Sequence, residues 1–378
     1  MKAHTIGDLR NLAKRRIPRV IFDFLDGGAG NEYGLRHNTE ALDKVRLRPR
    51  ALVNTEEISL ETDFLGKRWQ APFGIAPIGL TNLIWPGGDE IVAITAAENG
   101  IPYTLSTAGT TSIERIGAVA PGSWFQLYVA KSEEIVDDLV RRADVAGFDA
   151  LVVTVDVPRP SRRLRDLQNG FQLPLKPSLP LMADIASRPL WGIETLRKGV
   201  PRFATIEQYA PPKSSVQSLA AYMSSQSSGR LNWEVVEKLR QQWPRKLILK
   251  GVQSAEDAAR AVALGIDAIV ISNHGGRQLE GAMATIESLP EIRRAVGPDY
   301  PVIFDSGIRS GEHVAKAIAY GASFVLIGRA AMYGLAAGGK AGVEQVISLM
   351  REELTITMAH LGVTAIDQLS SEHIFIPI

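Results

Sequence analysis

The chain of 378 residues is long enough for one large domain, and 45% hydrophobic with 22% charged residues is typical of a soluble globular protein. Its 42 lysines and arginines nearly balance 41 aspartates and glutamates, which argues against a nucleic-acid-binding function. The absence of cysteine excludes disulfides, thiolate nucleophiles and cysteine-ligated metals. Because the N-terminal stretch is strongly charged and no apolar run is long enough for a membrane span, we expect neither a signal peptide nor a transmembrane helix.

The chain divides into a leading segment and a long alternation of strand and helix patterns. Residues 1–70 precede the first predicted strand, and their amphipathic part, 9–25, is predicted to pack as helices against the rest of the domain. Most of the apolar runs that follow are continuously apolar, as strands buried on both faces are. The eight predicted strands are 72–77, 102–107, 123–129, 150–156, 246–251, 268–273, 301–307 and 324–329.

Eight parallel strands alternating with helices predict an α/β fold, a (β/α)8 TIM barrel, in a single domain over residues 1–378 with an N-terminal helical extension. A doubly wound sheet is the alternative, but it would need a glycine-rich dinucleotide turn after the first strand. The sequence "PIGLTN" (77–82) is not such a turn. Between the fourth and fifth strands about ninety residues replace the usual short crossover, so the insertion at 171–230 is expected to have a role of its own.

Polar residues cluster where the predicted strands end, on the face of a barrel where catalytic residues collect. A single Asp or Thr at such a position most often caps the next helix, and a single lysine is usually a solvated surface charge. Many such positions on one rim favour a functional site instead. They are Ser106, Gln126, Tyr128, Thr154, Asp156, Lys250, Ser272, His274, Asp305 and Arg329.

The turns after the last two strands, "DSGIRSG" (305–311) and "IGRA" (327–330), each combine glycine with an arginine. This corner of a barrel commonly binds phosphate through backbone N–H groups and a guanidinium. The sequence therefore predicts a phosphate site at Arg309 and Arg329. It leaves open whether the phosphate belongs to a substrate or to a cofactor.

The segment "VISNHGGRQLEGAM" (270–283) places His274 and Arg277 three positions apart at the end of the sixth predicted strand. The imidazole can act as a base, and the guanidinium can bind an anionic substrate beside it in bidentate fashion. Asp156, across the barrel mouth, can stabilise the imidazolium once His274 has taken a proton. The other histidines are scattered without ligand spacing to His274, so no metal is expected.

Nearly the whole chain resembles the FMN-dependent enzymes that oxidise 2-hydroxy acids, the family of glycolate oxidase, lactate oxidase and mandelate dehydrogenase. The resemblance rests on "IFDFLDGGAGNEYGLRHN", "FQLYV", "TVDVP", "DSGIRSG", "IGRAAMYGLAAGG" and the highly specific "SNHGGRQLEG". The chain resembles the mandelate-oxidising members in particular. The resemblance implies FMN as the cofactor and oxidation of an (S)-2-hydroxy acid, aromatic and mandelate-like, to the 2-oxo acid. L-Lactate oxidation, or a flavin-binding barrel acting on a different substrate, is the alternative.

The resemblance also implies an FMN site residue by residue. The turn at Ala76, Pro77 and Ile78 would lie beneath the ring, and Lys250 would sit beside the flavin N1 and the C2 carbonyl. The other contacts to the ring and ribityl chain would come from Ser106, Gln126, Thr154 and Ser272. The phosphate would be held by Asp305, Gly307, Arg309, Gly328 and Arg329.

For the substrate, the resemblance implies that Arg163 and Arg277 clamp the carboxylate. Tyr128 would hydrogen-bond near the substrate hydroxyl. His274, paired with Asp156, would be the base. Whether this base removes the Cα proton or the hydroxyl proton does not follow from the sequence.

Two small residues describe the rest of the substrate pocket. Gly79 and Ala108 lie where short-chain members of the family carry larger residues, so an aryl side group is favoured over glycolate. The alternative is that other neighbours fill the same space. Glycine at position 79 also favours, by the same resemblance, dehydrogenase over oxidase behaviour.

The chain departs from the family pattern at two positions. Phe24 stands where a tyrosine hydroxyl usually reaches the substrate carboxylate, and losing that donor would weaken binding by about 1–3 kcal/mol. Either Tyr33 or a water compensates, or the preferred substrate is not an ordinary 2-hydroxy acid. Ser310 stands where a second arginine is common, which is expected to loosen the phosphate site.

The insertion interleaves apolar and basic residues. Apolar surface with a basic fringe fits a segment, 171–213, that lies on an anionic membrane. A lid over the active site or a subunit contact explains it equally well. The resemblance further implies a homotetramer, a quinone or oxygen as the electron acceptor, and a cytoplasmic location, either free or on the inner face of the membrane. The residues concerned are Leu179, Leu181, Met182, Leu190, Trp191, Ile193, Leu196, Lys176, Arg188, Arg197, Lys198 and Arg202.

Overall fold

The structure is a computed structural model that describes residues 2–172, 175, 178–199, 201–209 and 231–375. The chain begins with helices α1 (Ile6–Arg16), α2 (Arg19–Asp26) and α3 (Tyr33–Lys44). A reciprocal capping box between Thr5 and Asp8 fixes the start of α1, and α1 and α2 bury the apolar faces predicted over 9–25. The extension is helical only this far. Short strands follow, namely β1 (Arg46–Leu47), β2 (Thr62–Phe64) and β3 (Lys67–Trp69).

All eight predicted barrel strands are present. They are β4 (Phe73–Ile75), β5 (Thr104–Ser106), β6 (Trp124–Leu127), β7 (Ala150–Thr154), β8 (Lys246–Val252), β9 (Ala268–Ile271), β10 (Val302–Phe304) and β11 (Phe324–Ile327). Consecutive strands from β5 to β11 pair in parallel, and β11 pairs with β4. A parallel bridge between Ile75 and Tyr103 closes the circle. The (β/α)8 barrel is therefore confirmed, and the doubly wound alternative is wrong.

The remaining elements surround the barrel. The helices are α4 (Thr81–Ile84), α5 (Gly88–Glu98), α6 (Ile113–Val119), α7 (Glu133–Val145), α8 (Leu164–Gln168), α9 (Leu179–Ala186), α10 (Pro189–Lys198), α11 (Trp233–Gln242), α12 (Ala255–Ala263), α13 (Thr285–Val296), α14 (Gly311–Ala319) and α15 (Arg329–Leu361). Helix α15 is kinked at Gly338 and Gly339, where the backbone leaves helical angles. Strand β12 (Ile374–Phe375) pairs antiparallel with β1.

One end of the barrel is filled by aromatic side chains. Phe64, from the hairpin of β2 and β3, stacks on Phe324 at 4.7 Å between ring centroids and lies 6.5 Å from Trp124. All three rings are buried, together with the inward-facing aliphatic side chains of the strands. The hairpin closes the end at which the strands begin, so the opposite end, where the strands terminate, is the one that can hold a ligand.

The insertion between β7 and β8 is attached to the body of the protein at several points. The Trp191 indole N–H of α10 donates to the Leu83 carbonyl at 3.0 Å, and the Arg19 backbone N–H donates to the Asp184 carboxylate of α9 at 2.6 Å. Lys176 and residues 210–230 lie outside the described residues. Within the described ranges, no helix combines the length and the apolar character needed to cross a membrane.

Candidate active site

The strand ends surround a cavity of about 370 Å³. Eighteen of the predicted site residues line it, drawn from all eight strand ends, the N-terminal extension and the loop after β7. They are Phe24, Ala76, Pro77, Ile78, Gly79, Ser106, Ala108, Tyr128, Thr154, Arg163, Lys250, His274, Arg277, Asp305, Gly307, Arg309, Gly328 and Arg329. The other three, Gln126, Asp156 and Ser272, lie behind the wall and hydrogen-bond to residues that form it.

One wall of the cavity is a chain of buried hydroxyl and amide groups on neighbouring strands. Pairing of β5 with β6 sets Ser106 beside Gln126, whose side-chain carbonyl accepts from the Ser106 hydroxyl at 3.0 Å. The Gln126 amide N–H donates to the Thr154 Oγ1 at 2.9 Å. Because buried polar groups must be hydrogen-bonded, this chain fixes each side chain in one orientation. The hydroxyls of Ser106 and Thr154 are thereby held at the cavity surface.

Lys250 places a buried ammonium group in the adjoining wall. Its Nζ lies 2.9 Å from the Asp305 Oδ2 and donates to the Ser272 Oγ at 2.8 Å. Burial by itself lowers the pKa of Lys250, but attraction to Asp305 and Asp156 outweighs it and raises the pKa above its usual value. The group is therefore a fixed positive charge inside the cavity.

His274 follows β9 in a left-handed backbone conformation (φ 59°), which turns its ring into the barrel mouth. Its Nδ1 lies 3.1 Å from the Asp156 Oδ1, and its Nε2 lies 3.4 Å from the Tyr128 hydroxyl. Burial works against ionisation of Asp156, but attraction to His274 and Lys250 lowers the pKa of this carboxyl below its usual value. The arrangement leaves the Nε2 edge of the imidazole facing the cavity, with a carboxylate behind it.

The approach of Asp156 to this position depends on a glycine. Gly251 has a φ of 107°, and a Cβ on it would come within 2.6 Å of the Asp156 Cβ and 2.9 Å of its backbone nitrogen. A side chain at position 251 would therefore displace the carboxylate that supports His274.

Two arginines and a phenylalanine form the outer wall. The guanidinium carbons of Arg163 and Arg277 lie 5.5 Å and 5.3 Å from the centre of the Phe24 ring, which stacks on Phe171 at 4.4 Å. Arg277 also donates to the carbonyls of Phe24 at 2.9 Å and Gly27 at 2.7 Å. Burial, followed by repulsion from Arg163 and Arg329, lowers the pKa of Arg277 well below its usual value. A bound anion would reduce the electrostatic repulsion among these guanidinium groups.

Tyr128 faces the same space. Burial, with the nearby Asp156 carboxylate as the second cause, raises the pKa of Tyr128 well above its usual value. The phenol therefore keeps its proton and is available as a hydrogen-bond donor between His274 and the arginines.

A second cationic region lies at the ends of β10 and β11. The Arg329 guanidinium donates to the carbonyls of Leu25 (3.2 Å), Gly27 (2.8 Å) and Gly275 (2.9 Å), and its burial lowers the pKa of Arg329 to about 10. Arg309 lies beside it in the cavity wall, and its Nη1 donates to the Ile308 carbonyl at 2.7 Å. Three donors of Arg329 hold the backbone of the N-terminal extension and of the loop after β9. Two further N–H groups of Arg329, together with those of Arg309, can donate to an anion in the cavity.

Gly79 and Ala108 lie against each other in the cavity wall. A Cβ on Gly79 would come within 2.7 Å of the Ala108 Cβ, so even alanine at position 79 requires the wall to move. The remaining apolar part of the wall includes Leu80, Ile84 and Phe203. Small residues at these two positions therefore border the cavity directly.

Several lining residues were not predicted. Phe203 comes from the far end of the insertion, and no sequence spacing links it to the barrel rim. Ser161 donates to the Arg277 carbonyl at 2.5 Å, and Ser306 donates to the Asp305 Oδ1 at 2.7 Å. The segment "DSG" at 305–307 gave a signal for Ser306, because a turn between two site residues must line the same site.

The prediction that Tyr33 could take over the missing hydroxyl of Phe24 is wrong. Tyr33 is 54% exposed and stacks on His37 at 5.4 Å on the outer side of α3, away from the cavity wall. The cavity wall at Phe24 is therefore an aromatic surface without a hydroxyl.

Comparisons with known proteins agree with this architecture. The family model of FMN-dependent dehydrogenases matches residues 13–376. The chain is 40% identical to (S)-mandelate dehydrogenase of Pseudomonas putida over 98% of this chain and 93% of that protein. It is 38% identical to a putative L-lactate dehydrogenase of Mycobacterium tuberculosis over 98% of this chain and 89% of that protein.

Solved structures of the same kind of enzyme also match this chain over nearly its whole length. The crystal structure of the monotopic membrane protein (S)-mandelate dehydrogenase matches with a TM-score of 0.95 at 40% identity, covering 99% of this chain and 100% of that one. A mandelate oxidase matches with a TM-score of 0.84 at 39% identity, covering 97% and 96%. Together with these matches, the barrel and its candidate site define a flavin-dependent oxidoreductase. The chain belongs to the FMN-dependent dehydrogenase family, and FMN is its cofactor.

Proposed function

We propose that the protein oxidises an (S)-2-hydroxy acid with an aryl side group to the corresponding 2-oxo acid. The observation that carries this proposal is the convergence of three groups on one space. They are the Nε2 edge of His274 backed by Asp156, the Tyr128 phenol, and the guanidinium groups of Arg163 and Arg277. A base beside a carboxylate-binding pair is what removal of a proton from a 2-hydroxy acid requires.

The donor groups of the cavity fit FMN. A flat polar ligand would meet two hydroxyls and an ammonium group, from Ser106, Thr154 and Lys250. A phosphate would meet the guanidinium groups of Arg309 and Arg329. The resemblance assigned Asp305 to the phosphate, but its carboxylate would repel that group. Its partners, Lys250 and Ser306, suit it better to hydroxyl groups of the ribityl chain.

FMN supplies the two-electron oxidant when it is bound. The protein's own contribution is to hold the acid and to move a proton. Arg163 and Arg277 bind the carboxylate, and Tyr128 donates a hydrogen bond to the substrate oxygen. His274 takes a proton through Nε2, and the imidazolium that forms is stabilised by Asp156 at 3.1 Å.

The aryl preference is supported by the wall at Gly79 and Ala108 and by the apolar residues beside it. Two relatives act on mandelate by name, and others are L-lactate dehydrogenases, so lactate oxidation is the second candidate. We propose to compare turnover of (S)-mandelate, (R)-mandelate and L-lactate with an artificial electron acceptor, and to identify the 2-oxo acid formed. A higher kcat/KM for (S)-mandelate supports the proposal, and a higher value for L-lactate selects the second candidate.

Restoring the missing hydroxyl at position 24 is expected to favour small hydroxy acids. In Phe24→Tyr, the new phenol would donate to the carboxylate between Arg163 and Arg277. Since a hydrogen bond to a charged group contributes about 1.5–3 kcal/mol, the KM for L-lactate should fall about tenfold or more. Phe171→Tyr is the matched control, because it adds the same hydroxyl to the other ring of the stack. An unchanged KM would mean that the carboxylate is already fully paired.

We further propose that the insertion attaches the protein peripherally to a membrane surface. Leu179, Leu190 and Leu196 of α9 and α10 are 88%, 63% and 86% exposed, and the basic residues Arg197 and Lys198 end α10. Apolar side chains with a basic fringe are suited to the interface of an anionic bilayer. The monotopic membrane character of the matched (S)-mandelate dehydrogenase supports the same proposal. Attachment would be to the inner face of the cytoplasmic membrane. We propose a quinone or oxygen as the electron acceptor. We also propose that the protein assembles as a homotetramer.

Vesicle binding tests this attachment. In the double variant Leu190→Glu/Leu196→Glu, binding to phosphatidylglycerol vesicles should fall at least tenfold, because burial of each leucine contributes about 1.5–3 kcal/mol. Val145→Glu is the matched control, since Val145 is 78% exposed on α7. Cosedimentation of protein with vesicles gives the measurement. Equal binding of the native protein and the double variant would contradict the proposal and favour a lid or a subunit contact.

A further inference from the structure

The turn after β10 is connected to the N-terminal extension by a buried histidine. His313, in the first turn of α14, is 6% exposed. Its Nδ1 accepts from the Arg309 backbone N–H at 3.2 Å, and its Nε2 lies 2.8 Å from the Asp43 Oδ1 of α3. We propose that His313 is a positioning residue that fixes the backbone of Arg309 at the phosphate end of the cavity. This inference rests on the proposed role of Arg309 in binding the FMN phosphate.

The two contacts determine the state of the imidazole ring. An Nδ1 that accepts from the Arg309 N–H carries no proton, so the neutral ring must carry its proton on Nε2. The Asp43 carboxylate accepts that proton's hydrogen bond and so selects this tautomer. Burial is the main reason that the pKa of His313 lies below its usual value, while Asp43 acts in the opposite direction. The geometry thus describes an acceptor held in place for a single backbone N–H.

The turn that His313 supports has an unusual backbone. Ser306 and Gly307 both have left-handed φ angles, 83° and 89°. A Cβ on Gly307 would lie 2.8 Å from the Asn38 carbonyl of α3, so the turn packs directly on that helix. Helix α3 therefore supports the turn at two places, by contact at Asn38 and through His313 to Asp43. The left-handed φ of Ser306, which residues other than glycine rarely adopt, persists only where the surroundings hold it.

Ser310 links the same turn to α14. Its hydroxyl accepts from the His313 backbone N–H at 3.1 Å and so caps the helix. The side chain of His313 consequently extends back over the turn from a fixed helical start. Ser310, which stands where the family commonly has a second arginine, therefore has a structural role of its own. In the structure Ser310 and His313 act together, the first holding the helix and the second holding the Arg309 backbone.

A matched pair of variants separates this role from simple filling of space. In His313→Asn, the side-chain oxygen can occupy the place of Nδ1 and still accept from the Arg309 N–H. In His313→Gln, the amide reaches the place of Nε2 and Asp43, but it leaves the Arg309 N–H without its acceptor. Both variants are polar and uncharged, so a general loss of packing affects them similarly.

The experiment measures the FMN dissociation constant of each purified holoenzyme, from flavin fluorescence as the protein is diluted. We expect His313→Gln to weaken FMN binding about 3- to 10-fold, the effect of one hydrogen bond, and His313→Asn to stay within about twofold of the native protein. The melting temperature of each variant is recorded in parallel. Equal FMN affinity in all three proteins, or equal losses in both variants that follow the melting temperature, would overturn the inference.

A second variant keeps the test decisive if His313→Gln does not fold. Asp43 is 61% exposed in its side chain, so Asp43→Leu should be tolerated. Without the carboxylate the imidazole is free to carry its proton on Nδ1, and FMN affinity should fall about two- to threefold; unchanged affinity would again overturn the inference. Failure of the proposed function itself would be distinct, because the native protein would then bind FMN but the bound flavin would not be reduced by a 2-hydroxy acid.

Discussion

Replacing His274 with alanine is expected to lower kcat by about 10²- to 10⁴-fold, the usual contribution of a positioned general base. The protein should remain yellow, because the groups proposed to bind FMN are elsewhere on the rim. His274 contacts Asp156 and Tyr128 but donates to none of the phosphate-binding residues. Steady-state turnover of (S)-mandelate, with the bound FMN measured from its absorbance, gives the result.

The control for His274 is the residue behind it. Asp156→Asn keeps the shape of the side chain and removes the charge that stabilises the imidazolium, so kcat should fall less than in His274→Ala while FMN stays bound. A His274→Ala variant that keeps kcat within tenfold of the native value would contradict the assignment of the base.

The second large effect is expected at Arg277. Removing one partner of a buried, hydrogen-bonded charge pair costs about 2–5 kcal/mol, so Arg277→Met should lower kcat/KM for (S)-mandelate about 30- to 5,000-fold. Arg277→Lys should restore little, because an ammonium cannot form the bidentate pair and still donate to the carbonyls of Phe24 and Gly27. Initial rates over a range of substrate concentrations measure the change.

The neutral amide of mandelic acid isolates the charge interaction. It lacks the carboxylate, so the native protein and Arg277→Met should differ far less with this substrate than with the acid. Arg163→Met is the matched control, and a smaller loss is expected because Arg163 is shared with Asp166 at 3.5 Å. An equal loss for acid and amide in Arg277→Met would mean that Arg277 acts through the carbonyls it holds, not through the substrate.

The barrel could be predicted because its strands are buried on both faces. Such strands read as short continuous apolar runs, for example at 150–156 and 268–273, and a parallel sheet places all their polar ends on one rim. The site at the rim followed from that placement and was assigned its chemistry by the resemblance to a known family. The pairing of His274 with Asp156 across the mouth was predicted from their places at the strand ends, without the resemblance.

What could not be predicted depends on contacts between distant segments. Phe203 lines the cavity because the insertion folds back onto the barrel, and no local pattern records that path. Tyr33, one of the alternatives for the missing hydroxyl of Phe24, is turned outward at the start of α3. The role of His313 could not be predicted either, because its partner Asp43 lies on α3, which is distant in the sequence.

The insertion shows a third limit. Its apolar residues could have packed onto the barrel, and Trp191 does so with 5% exposure, while Leu179 and Leu196 stay on the surface. Both outcomes fit the same interleaved sequence, because the pattern does not indicate which face of a short helix meets the protein. Only the folded structure shows which side of α10 packs against the protein and which side is exposed.

Anaerobic mixing of the purified protein with (S)-mandelate, and separately with L-lactate, tests the central claim most directly. The flavin absorbance near its visible maximum is followed in the absence of any acceptor. We expect rapid bleaching by (S)-mandelate and slower bleaching by L-lactate, which would establish the cofactor, the reaction and the side-group preference together. A protein that stays yellow with both acids would contradict oxidation of 2-hydroxy acids, and would make the aromatic surface at Phe24 the sign of a different substrate.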